Sequence, residues 1–436
     1  MLLLREKISQ NKYKMLDFAY NDYERCKMLV QFSVENFQSI REKICLDLRK
    51  VNINEHKDSL IQNEYLPISV IYGPNGGGKS TVLQALNMFC AMITTPLFQM
   101  GTLKLPFVGI IQKPAPIPFL LDDDSRKNPT VFELVVHLGE SDYKLYMECT
   151  GALIVYECLQ EKKSVGKIIT LYERNSTTLT VGDKLKVSVP KTAIIAADMP
   201  ALSYLRQLYG ISPIKEITDW MIASPTIDYG TPAMEEMLKA TLLLHAQNPQ
   251  LKATMKNMLK YLNLDIDDFD MNVINNNNAN QQLQIVTYHN VNNKRYNLFL
   301  QQESMGTQKL FNLLPYIIDS LNRGGVLMID ELDAKLHPKM LERVISLYTD
   351  KKYNKNGAQL LFTSHDLSTM NKRIFRRDEI WFAAKDQSEN TMLYSLSDIR
   401  DENGELIRTD ASYSKQYLAG RYGADPYFEK IQNWRL

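Results

Sequence analysis

The sequence has no paired-cysteine motif, almost no net charge and no long apolar run. Its five cysteines are scattered over 436 residues without a C-x-x-C pair, which argues against a disulfide or zinc framework and favours reduced thiols in the cytoplasm. Lys and Arg number 51 against 50 Asp and Glu, so the whole chain lacks the basic charge that favours nucleic-acid binding, although a local patch stays open. Without 18 consecutive apolar residues, no membrane-spanning segment is predicted.

The chain is long enough for two domains, or for one large domain with an insertion, and its 44% hydrophobic residues can bury a sizeable core. Residues 1–27 are predicted to be a short extension, because a strand-like sequence opens at Met28. Strand and turn patterns around one helix fill 28–199, helical patterns fill 200–270, and helices alternate with strands in 271–436. The sequence therefore predicts an α/β fold with a β-rich N-terminal lobe and a helical insertion.

Turn residues predict three connections. Two hairpins are expected to turn at Gly139–Asp142 and around Gly166. The asparagine-rich stretch 272–282 is interpreted as a hairpin loop or a linker, since its composition indicates no more than that.

The stretch IYGPNGGGKST, residues 71–81, contains the spacing G-x-x-x-x-G-K-S between a strand pattern and a helix pattern. A phosphate-binding loop needs this context; the alternative is a flexible turn that matches by chance. Glycines let backbone N–H groups face phosphate oxygens, and the helix start adds partial positive charge. Lys79 is expected to reach the β- and γ-phosphates, Ser80 a Mg²⁺ ion and Thr81 the α-phosphate. The predicted loop residues are Gly73, Pro74, Asn75, Gly76, Gly77, Gly78, Lys79, Ser80 and Thr81.

A wholly apolar run, Val326–Ile329, is followed directly by Asp330 and Glu331. Ligands of α/β sheets bind at the carboxyl ends of such buried strands. Asp330 is expected to bind Mg²⁺ through water, and Glu331 to act as the general base on an attacking water. The alternative is a strand that ends in a solvated acidic turn.

A second buried strand pattern, Leu360–Phe362, ends in Thr363, Ser364 and His365. A histidine at a strand end is more often structural than catalytic. Its position downstream of the acidic strand favours a contact between His365 and the γ-phosphate of a nucleotide.

The stretch ESMGTQK, residues 303–309, opens a long helical pattern about 25 residues before the acidic strand. One interpretation is a helix N-cap, in which a serine precedes the first turn and a glutamine follows within it. The other interpretation depends on a family resemblance.

These motifs resemble ABC-type ATPase heads, in the branch that contains RecF, OLD, Rad50 and SMC proteins. GPNGGGKS resembles Walker A, VLMIDE Walker B, SHD the histidine switch and ESMGTQK the signature motif, and the resemblance covers about 28–436. It implies a P-loop NTPase fold, ATP and Mg²⁺ as cofactors, and a dimer that encloses two nucleotides. It also implies that Ser304 and Gly306 contact the γ-phosphate held by the other subunit.

Two positions depart from that branch. The stretch NFQSI, residues 36–40, resembles its N-F-[RK]-S strand but has Gln38 where a basic residue is usual. Aligned from Asp330, His337 stands where transporters and SMC heads have the D-loop aspartate, a form similar to that of RecF and OLD relatives.

The C-terminal stretches RRDEIWFAAKD and YLAGRYGADPYF resemble the AbiL/RloA-like ATPases of bacterial abortive-infection and anti-phage loci, with cousins in Septu and PARIS. Those ATPases work beside a separately encoded nuclease, often of the RloB or TOPRIM type. The resemblance implies a cytoplasmic, homo-oligomeric ATPase that controls a partner nuclease. It leaves open whether DNA or a phage protein is the trigger, and it implies no membrane partner.

The main alternative is a RecF-like, DNA-binding recombination or repair ATPase. That function needs a basic surface, and KRIFRR, residues 372–377, is the best candidate, although such a run is more often a solvated face. A transporter ATPase and a free-standing nuclease are the remaining alternatives. The absence of a coupling membrane segment and the dispersed histidines argue against them.

Overall fold

The computed structural model describes residues 27–101, 113–163, 166–186, 188–230, 232–246, 248–275, 281–400, 407 and 412–424. The predicted extension 1–27 lies outside these residues except for Lys27, which begins the first strand. The strands are β1 (Lys27–Glu35), β2 (Ile44–Asp47), β3 (Ile68–Tyr72), β4 (Thr130–Leu138), β5 (Ser141–Thr150), β6 (Leu153–Lys163), β7 (Ile169–Asn175), β8 (Thr178–Val181), β9 (Thr192–Ile194), β10 (Thr226–Ile227), β11 (Asp268–Asn275), β12 (Gln281–Val291), β13 (Lys294–Phe299), β14 (Val326–Ile329), β15 (Gln359–Thr363), β16 (Ile380–Lys385) and β17 (Thr391–Ser395). The helices are α1 (Lys79–Gln99), α2 (Ala201–Leu208), α3 (Ile214–Ile222), α4 (Pro232–His245), α5 (Pro249–Tyr261), α6 (Met305–Arg323), α7 (Pro338–Thr349) and α8 (Tyr413–Leu418).

The N-terminal lobe is an antiparallel sheet in the order β2-β1-β4-β5-β6-β7-β8-β9. Along β4 and β5 buried and half-buried side chains alternate, as expected when one face of a sheet covers a core. That face packs on α1, where the rings of Phe89 and Phe132 stack with their centroids 5.2 Å apart. The hairpins predicted at Gly139 and Gly166 are confirmed, since β4 pairs with β5 and β6 with β7.

The central sheet has the order β10-β14-β15-β3-β16-β17 and is parallel except for β17. Every side chain of β3, β14 and β15 is buried, because a parallel sheet is covered on both faces. Since these strands run in the same direction, the segments that follow them all leave the sheet at its carboxyl-terminal end. The predicted α/β class with a β-rich lobe is confirmed.

The segment 200–270 is helical as predicted, with α2, α3, α4 and α5. It also contributes β10, which pairs in parallel with β14. Helices α2 and α3 pack on α1, while α4 and α5 pack on α6. The segment is therefore part of the core of the molecule, and its limits as a separate insertion stay a prediction.

The asparagine-rich stretch 272–282 lies partly within two paired strands: residues 272–275 end β11 and residues 281–282 begin β12, so the prediction of a loop or linker is wrong for these residues. Asn275 of β11 is the register partner of Gln281 of β12, and β13 adds a third antiparallel strand. The central residues of the stretch, 276–280, lie outside the described part of the chain. The flanking pairing agrees with the hairpin interpretation.

Helix α1 is long and apolar enough to cross a membrane by length and composition, and 61% of its most apolar window is buried inside the protein. The sequence prediction, which required an uninterrupted apolar run, overlooks this helix. Its hydropathy has a structural reason, because α1 packs against strands β15 and β16 of the central sheet and against the aromatic core of the N-terminal lobe.

Gln359, the first residue of β15, connects the central sheet to the N-terminal sheet through side-chain hydrogen bonds. Its Oε1 accepts a hydrogen bond from the Leu29 N–H at 2.7 Å. Its Nε2 donates to the carbonyls of Leu29 and Leu66 at 3.0 and 3.1 Å. The side chain is buried, so removing the amide would leave buried backbone groups without these partners.

We therefore expect Gln359→Leu to lower the free energy of unfolding by about 1–3 kcal/mol, the usual cost of an unpaired buried polar group. Chemical denaturation measures the change. Gln250→Leu, on the exposed face of α5, is the matched control and should leave the denaturation midpoint in place. Equal midpoints for the two variants would show that the amide of Gln359 does not join the sheets.

Candidate nucleotide-binding site

The glycine-rich loop connects β3 to α1, as the motif requires. At three of its glycines, Gly73, Gly77 and Gly78, a side chain would collide with neighbouring strands. A Cβ on Gly73 would lie 2.1 Å from the Ala383 carbonyl oxygen, and one on Gly78 would lie 2.2 Å from Thr391 Oγ1. Gly78 also has φ +96°, a left-handed value that favours glycine. The loop is therefore pressed against β16 and β17, whereas around Gly76 a Cβ would meet no atom within 4 Å.

Lys79 begins α1 and folds its side chain back across the loop. Its ammonium donates to the carbonyls of Gly73 and Pro74 at 3.0 and 2.9 Å. Burial lowers the pKa of Lys79, while the carboxylates of Asp330, Glu331 and Asp333 oppose that shift. The positive charge thus lies in the concavity of the loop, in the electrostatic field of the acidic segment that follows β14.

Asp330 and Glu331 follow the buried strand β14 as predicted, and Thr363 holds both. The Thr363 hydroxyl donates to Asp330 Oδ1 at 2.5 Å and accepts from the Glu331 N–H at 2.7 Å. Glu331 has φ +50°, and its side chain is exposed. This contact joins the end of β15 to Asp330 and Glu331; the alternative of a solvated acidic turn stays open, because the segment is a turn and the Glu331 side chain is exposed.

His365 follows β15 and is connected to the same acidic segment. Its backbone N–H donates to Asp333 Oδ2 at 3.0 Å, and its side chain is exposed. Asp333 Oδ1 is buried and has no hydrogen-bond partner among the described atoms. The contact fixes the position of His365 relative to Asp330 and Glu331, three and two residues before Asp333.

A cavity of about 580 Å³ opens between the loop and the end of β15. Residues 72–77 form one wall, and Ser364, His365 and Leu367 form another. The third wall is the C-terminal segment, through Tyr417, Leu418 and Gly423. The predicted loop and the predicted histidine therefore border one space.

Aromatic packing attaches the C-terminal segment to the central sheet. The ring of Phe382 in β16 lies parallel to Tyr417 at 5.6 Å and contacts Tyr422 at 5.3 Å. The Tyr394 hydroxyl donates to the Tyr422 carbonyl at 2.6 Å. From the sequence, this segment is known only by its family resemblance. In the structure it lines the cavity of the candidate site.

The start of α6 contains the predicted signature residues. Ser304 is the N-cap, and its Oγ accepts from the Thr307 N–H at 3.2 Å. The N-cap interpretation is thus confirmed, and it is compatible with a second role because Ser304 and Met305 are exposed. A Cβ on Gly306 would lie 2.7 Å from the Lys335 carbonyl oxygen, so this glycine lets α6 approach the segment after Glu331. A contact of Ser304 and Gly306 with the nucleotide of another subunit stays a prediction.

A family model described as "AAA domain, putative AbiEii toxin, Type IV TA system" matches residues 68–371, from β3 to just beyond His365. The chain belongs to this AAA domain family. No curated protein sequence matches the chain.

Two solved structures similar to this AAA domain protein are SMC heads. One, an SMC head bound to the C-terminal winged-helix domain of ScpA, has 12% sequence identity and a TM-score of 0.36, covering 84% of this chain and 97% of that one. The other, an SMC head with an extended coiled coil bound to the C-terminal domain of ScpA from Pyrococcus furiosus, has 11% identity and a TM-score of 0.35, covering 85% and 96%.

In this AAA domain protein the NFQSI stretch lies beside the loop. Ser39 Oγ is 3.2 Å from the Thr81 hydroxyl and 2.8 Å from the Thr391 hydroxyl. Gln38 has φ +49° and donates its N–H to the Ile117 carbonyl at 2.8 Å. It lines a second cavity, of about 250 Å³, with Ser39, Lys385, Glu389 and residues 117–121. No sequence pattern predicts that 117–121 lies here.

The basic run 372–377 is divided between surface and interior. Lys372 and Arg373 are exposed, as the interpretation of the run as a solvated face predicts. Arg376 is fully buried and pairs with Asp378 at 2.7 Å, and Arg377 is buried and pairs with Glu55 at 2.8 Å. The solvated-face interpretation is wrong for these two arginines, whose charges are used in buried ion pairs and do not contribute to the basic surface that the DNA-binding alternative needs.

Sequence reasoning missed three residues that position the site. The sequence pattern puts Thr363 at a strand end without a role, and it does not distinguish Asp333 or Lys309 from other charged residues. All three act through contacts between segments far apart in the chain, which spacing does not reveal. His337 is the N-cap of α7, where its Nδ1 accepts from the Lys339 N–H at 3.2 Å.

Gly78→Ala should weaken nucleotide binding at least tenfold, because the new Cβ collides with Thr391 and must displace the loop from β17. Isothermal calorimetry with ATP measures the affinity. Gly101→Ala is the matched control, since Gly101 also has a left-handed φ of +71° but open surroundings at the other end of α1. Unchanged affinity in Gly78→Ala would mean that the loop does not bind phosphate.

Proposed function

We propose that the chain is an ABC-type ATPase that binds ATP in the loop 73–81, hydrolyses it, and dimerises through the bound nucleotide. One observation carries the proposal. The loop, two carboxylates and a histidine follow β3, β14 and β15 respectively, and all lie at the carboxyl-terminal end of one parallel sheet. Hydrogen bonds of Thr363 and Asp333 connect the carboxylate segment to the segment that contains the histidine.

The backbone of the loop supplies the phosphate cradle. Gly76 has φ +77° in open surroundings, so its peptide is free to face an anion at the start of α1. The Lys79 ammonium exchanges the carbonyls of Gly73 and Pro74 for β- and γ-phosphate oxygens. Its buried position makes that charge more effective than it would be in water.

The donor set fits Mg²⁺. The Ser80 hydroxyl and the Asp330 carboxylate are hard oxygen ligands, and Thr363 fixes the orientation of Asp330. Among the residues that the structure describes, no three His, Cys, Asp or Glu side chains gather as a metal cage. This suits an ion that takes one or two protein oxygens and completes its shell with phosphates and water. When bound, Mg²⁺ would neutralise charge on the phosphates.

Glu331 is the proposed general base. Its carboxylate is exposed at the carboxyl end of β14, and its backbone N–H is held by Thr363. The carboxylate accepts a proton from the attacking water, while Lys79 and the loop N–H groups stabilise the charge on the γ-phosphoryl group. His365, placed by Asp333, is proposed to contact the γ-phosphate.

Dimerisation is supported by the surface around the start of α6. Met305, between Ser304 and Gly306, is 55% exposed, so the start of α6 presents an apolar side chain beside Ser304. In the proposed dimer Ser304 and Gly306 complete the nucleotide pocket of the other copy. Met305 is then covered by the partner.

We further propose that this ATPase is the sensor or scaffold subunit of a bacterial anti-phage system and controls a separately encoded nuclease. The matched family carries the AbiEii toxin and type IV system description, which supports a role in such loci. DNA or a phage protein is the proposed trigger. Cys90 and Cys149 are buried free thiols, which suits a reducing cytoplasm.

Glu331→Gln should retain ATP and slow its hydrolysis by about 10²-fold or more, the usual contribution of a general base. Lys79→Ala should instead lose ATP binding, since it removes the charge that faces the phosphates. Calorimetry and phosphate release measure the two properties on the same samples. Hydrolysis at the wild-type rate by Glu331→Gln would place the base elsewhere, and unchanged affinity in Lys79→Ala would reject the loop as the site.

Ser304→Asp separates the capping role of Ser304 from its role in the dimer. Aspartate caps a helix as well as serine does, so the thermal stability should stay unchanged. Its charge would repel the γ-phosphate of the other copy, so hydrolysis should fall at least tenfold while ATP still binds. Ser304→Asn, which caps without charge, is the control.

Mixing Ser304→Asp with Lys79→Ala should restore part of the activity, because the mixed dimer contains one pocket with two wild-type halves. Wild-type hydrolysis by Ser304→Asp alone would reduce the ESMGTQK stretch to a helix cap, and the nucleotide dimer would be rejected with it.

A further inference from the structure

Lys309 of α6 reaches the segment that follows the two carboxylates. Its ammonium donates to the Glu331 carbonyl at 2.7 Å and to the Ala334 carbonyl at 3.0 Å. The side chain is 8% exposed, and the ammonium lies 4.6 Å above the centre of the Tyr229 ring. A lysine buried so deeply needs partners, and two of them are backbone carbonyls of the catalytic segment.

The segment from Glu331 to Lys335 has an uncommon backbone. Both residues are non-glycines with positive φ, at +50° and +65°. Such conformations cost about 1–3 kcal/mol each and persist only where surrounding contacts fix them. The two carbonyls that Lys309 binds lie within this segment, so its ammonium is one of those contacts.

The Glu331 residue is consequently held from both sides. Thr363 accepts from its N–H, and Lys309 donates to its carbonyl. The direction of the Glu331 carboxylate depends on the orientation of that backbone. Misplacing a catalytic group by about 1 Å can lower the rate by about 10². The two contacts bind only the Glu331 backbone, and we expect them to affect hydrolysis by fixing the position of its carboxylate.

Close packing joins the start of α6 to the same segment. Gly306 leaves no room for a Cβ beside the Lys335 carbonyl, which lies one residue beyond Ala334. Gly306 and Lys309 are three residues apart and therefore lie on one face of the helix. That face rests on the catalytic segment, while the exposed Ser304 and Met305 point to the surface proposed for the other copy.

We propose that Lys309 is a positioning residue, which holds the Glu331 backbone and thereby transmits the position of the α6 start to the catalytic carboxylate of the same chain. This inference rests on the proposed function, because it assigns Glu331 as the base. It adds a route by which a second copy that contacts Ser304 alters hydrolysis in the chain to which Ser304 belongs.

The polar groups around Lys309 favour a cation at this buried position. Burial lowers the pKa of Lys309 to about 8, against the opposing effect of Asp333, Glu331 and Asp330, while Lys335 lowers it further. The carbonyls, the carboxylates and the Tyr229 ring together favour a cation. An apolar side chain of the same length would leave both carbonyls without this donor.

Hydrogen exchange tests the contact independently of catalysis. In Lys309→Met the backbone amides of residues 330–337 should exchange at least tenfold faster than in the wild type, while those of 73–81 stay unchanged. Lys309→Arg should restore slow exchange, and Lys339→Met, on the exposed face of α7, is the matched control. Lys309→Gln, which keeps a neutral N–H donor group on a shorter side chain, should be intermediate and serves if Lys309→Met does not fold. Equal exchange of 330–337 in all variants would overturn the proposal.

Kinetics in two backgrounds tests whether Lys309 acts through Glu331. Lys309→Met should lower kcat about tenfold with ATP affinity unchanged. In the Glu331→Gln background the same substitution should lower kcat by less than about twofold, because the base through which Lys309 acts is already absent. A tenfold loss in both backgrounds would contradict the proposal. A wild-type protein that binds ATP without hydrolysing it would reject the proposed function, and the exchange experiment would still decide whether Lys309 holds the segment.

Discussion

The candidate site depends on the parallel alignment of β14, β15 and β3. Register pairs Ile329 with Phe362 and Thr363 with Ile71, so the three strands end at nearly the same level. Each strand is buried at every position, which leaves its end as the first place where polar groups are accessible. If β15 were shifted by two residues relative to β14, Thr363 would be separated from Asp330, and the contact that orders both carboxylates would be lost.

Contacts between segments then convert this shared edge into a defined geometry. Thr363 connects β15 to the carboxylates, Asp333 connects the carboxylate segment back to His365, and Lys309 fixes the same segment from α6. On the other side, Ala383 and Thr391 press against the glycines of the loop. None of these positioning residues needs to touch a nucleotide, yet each fixes a residue that is proposed to do so.

Much of this site could be predicted from the sequence, because its main parts are short and local. The loop before α1 and the apolar run before Asp330 have spacings that a strand–loop–helix or a buried strand imposes within about ten residues. The positioning contacts could not be predicted, since Gln359 meets Leu29 and Lys309 meets Glu331 across long stretches of chain. The burial of Arg377 in the basic run 372–377 could not be predicted for the same reason, because only the fold brings Glu55 to Arg377.

We propose that one nucleotide with one Mg²⁺ binds between Ser80 and Asp330. A crystal structure of the protein with Mn²⁺ in place of Mg²⁺ and a non-hydrolysable ATP analogue, with the metal located by its anomalous scattering, would test this site. We expect one metal peak that lies within coordination distance of Ser80 and contacts Asp330 directly or through one water, with the triphosphate along residues 73–81. A triphosphate bound elsewhere, or a metal peak remote from Ser80, would contradict it.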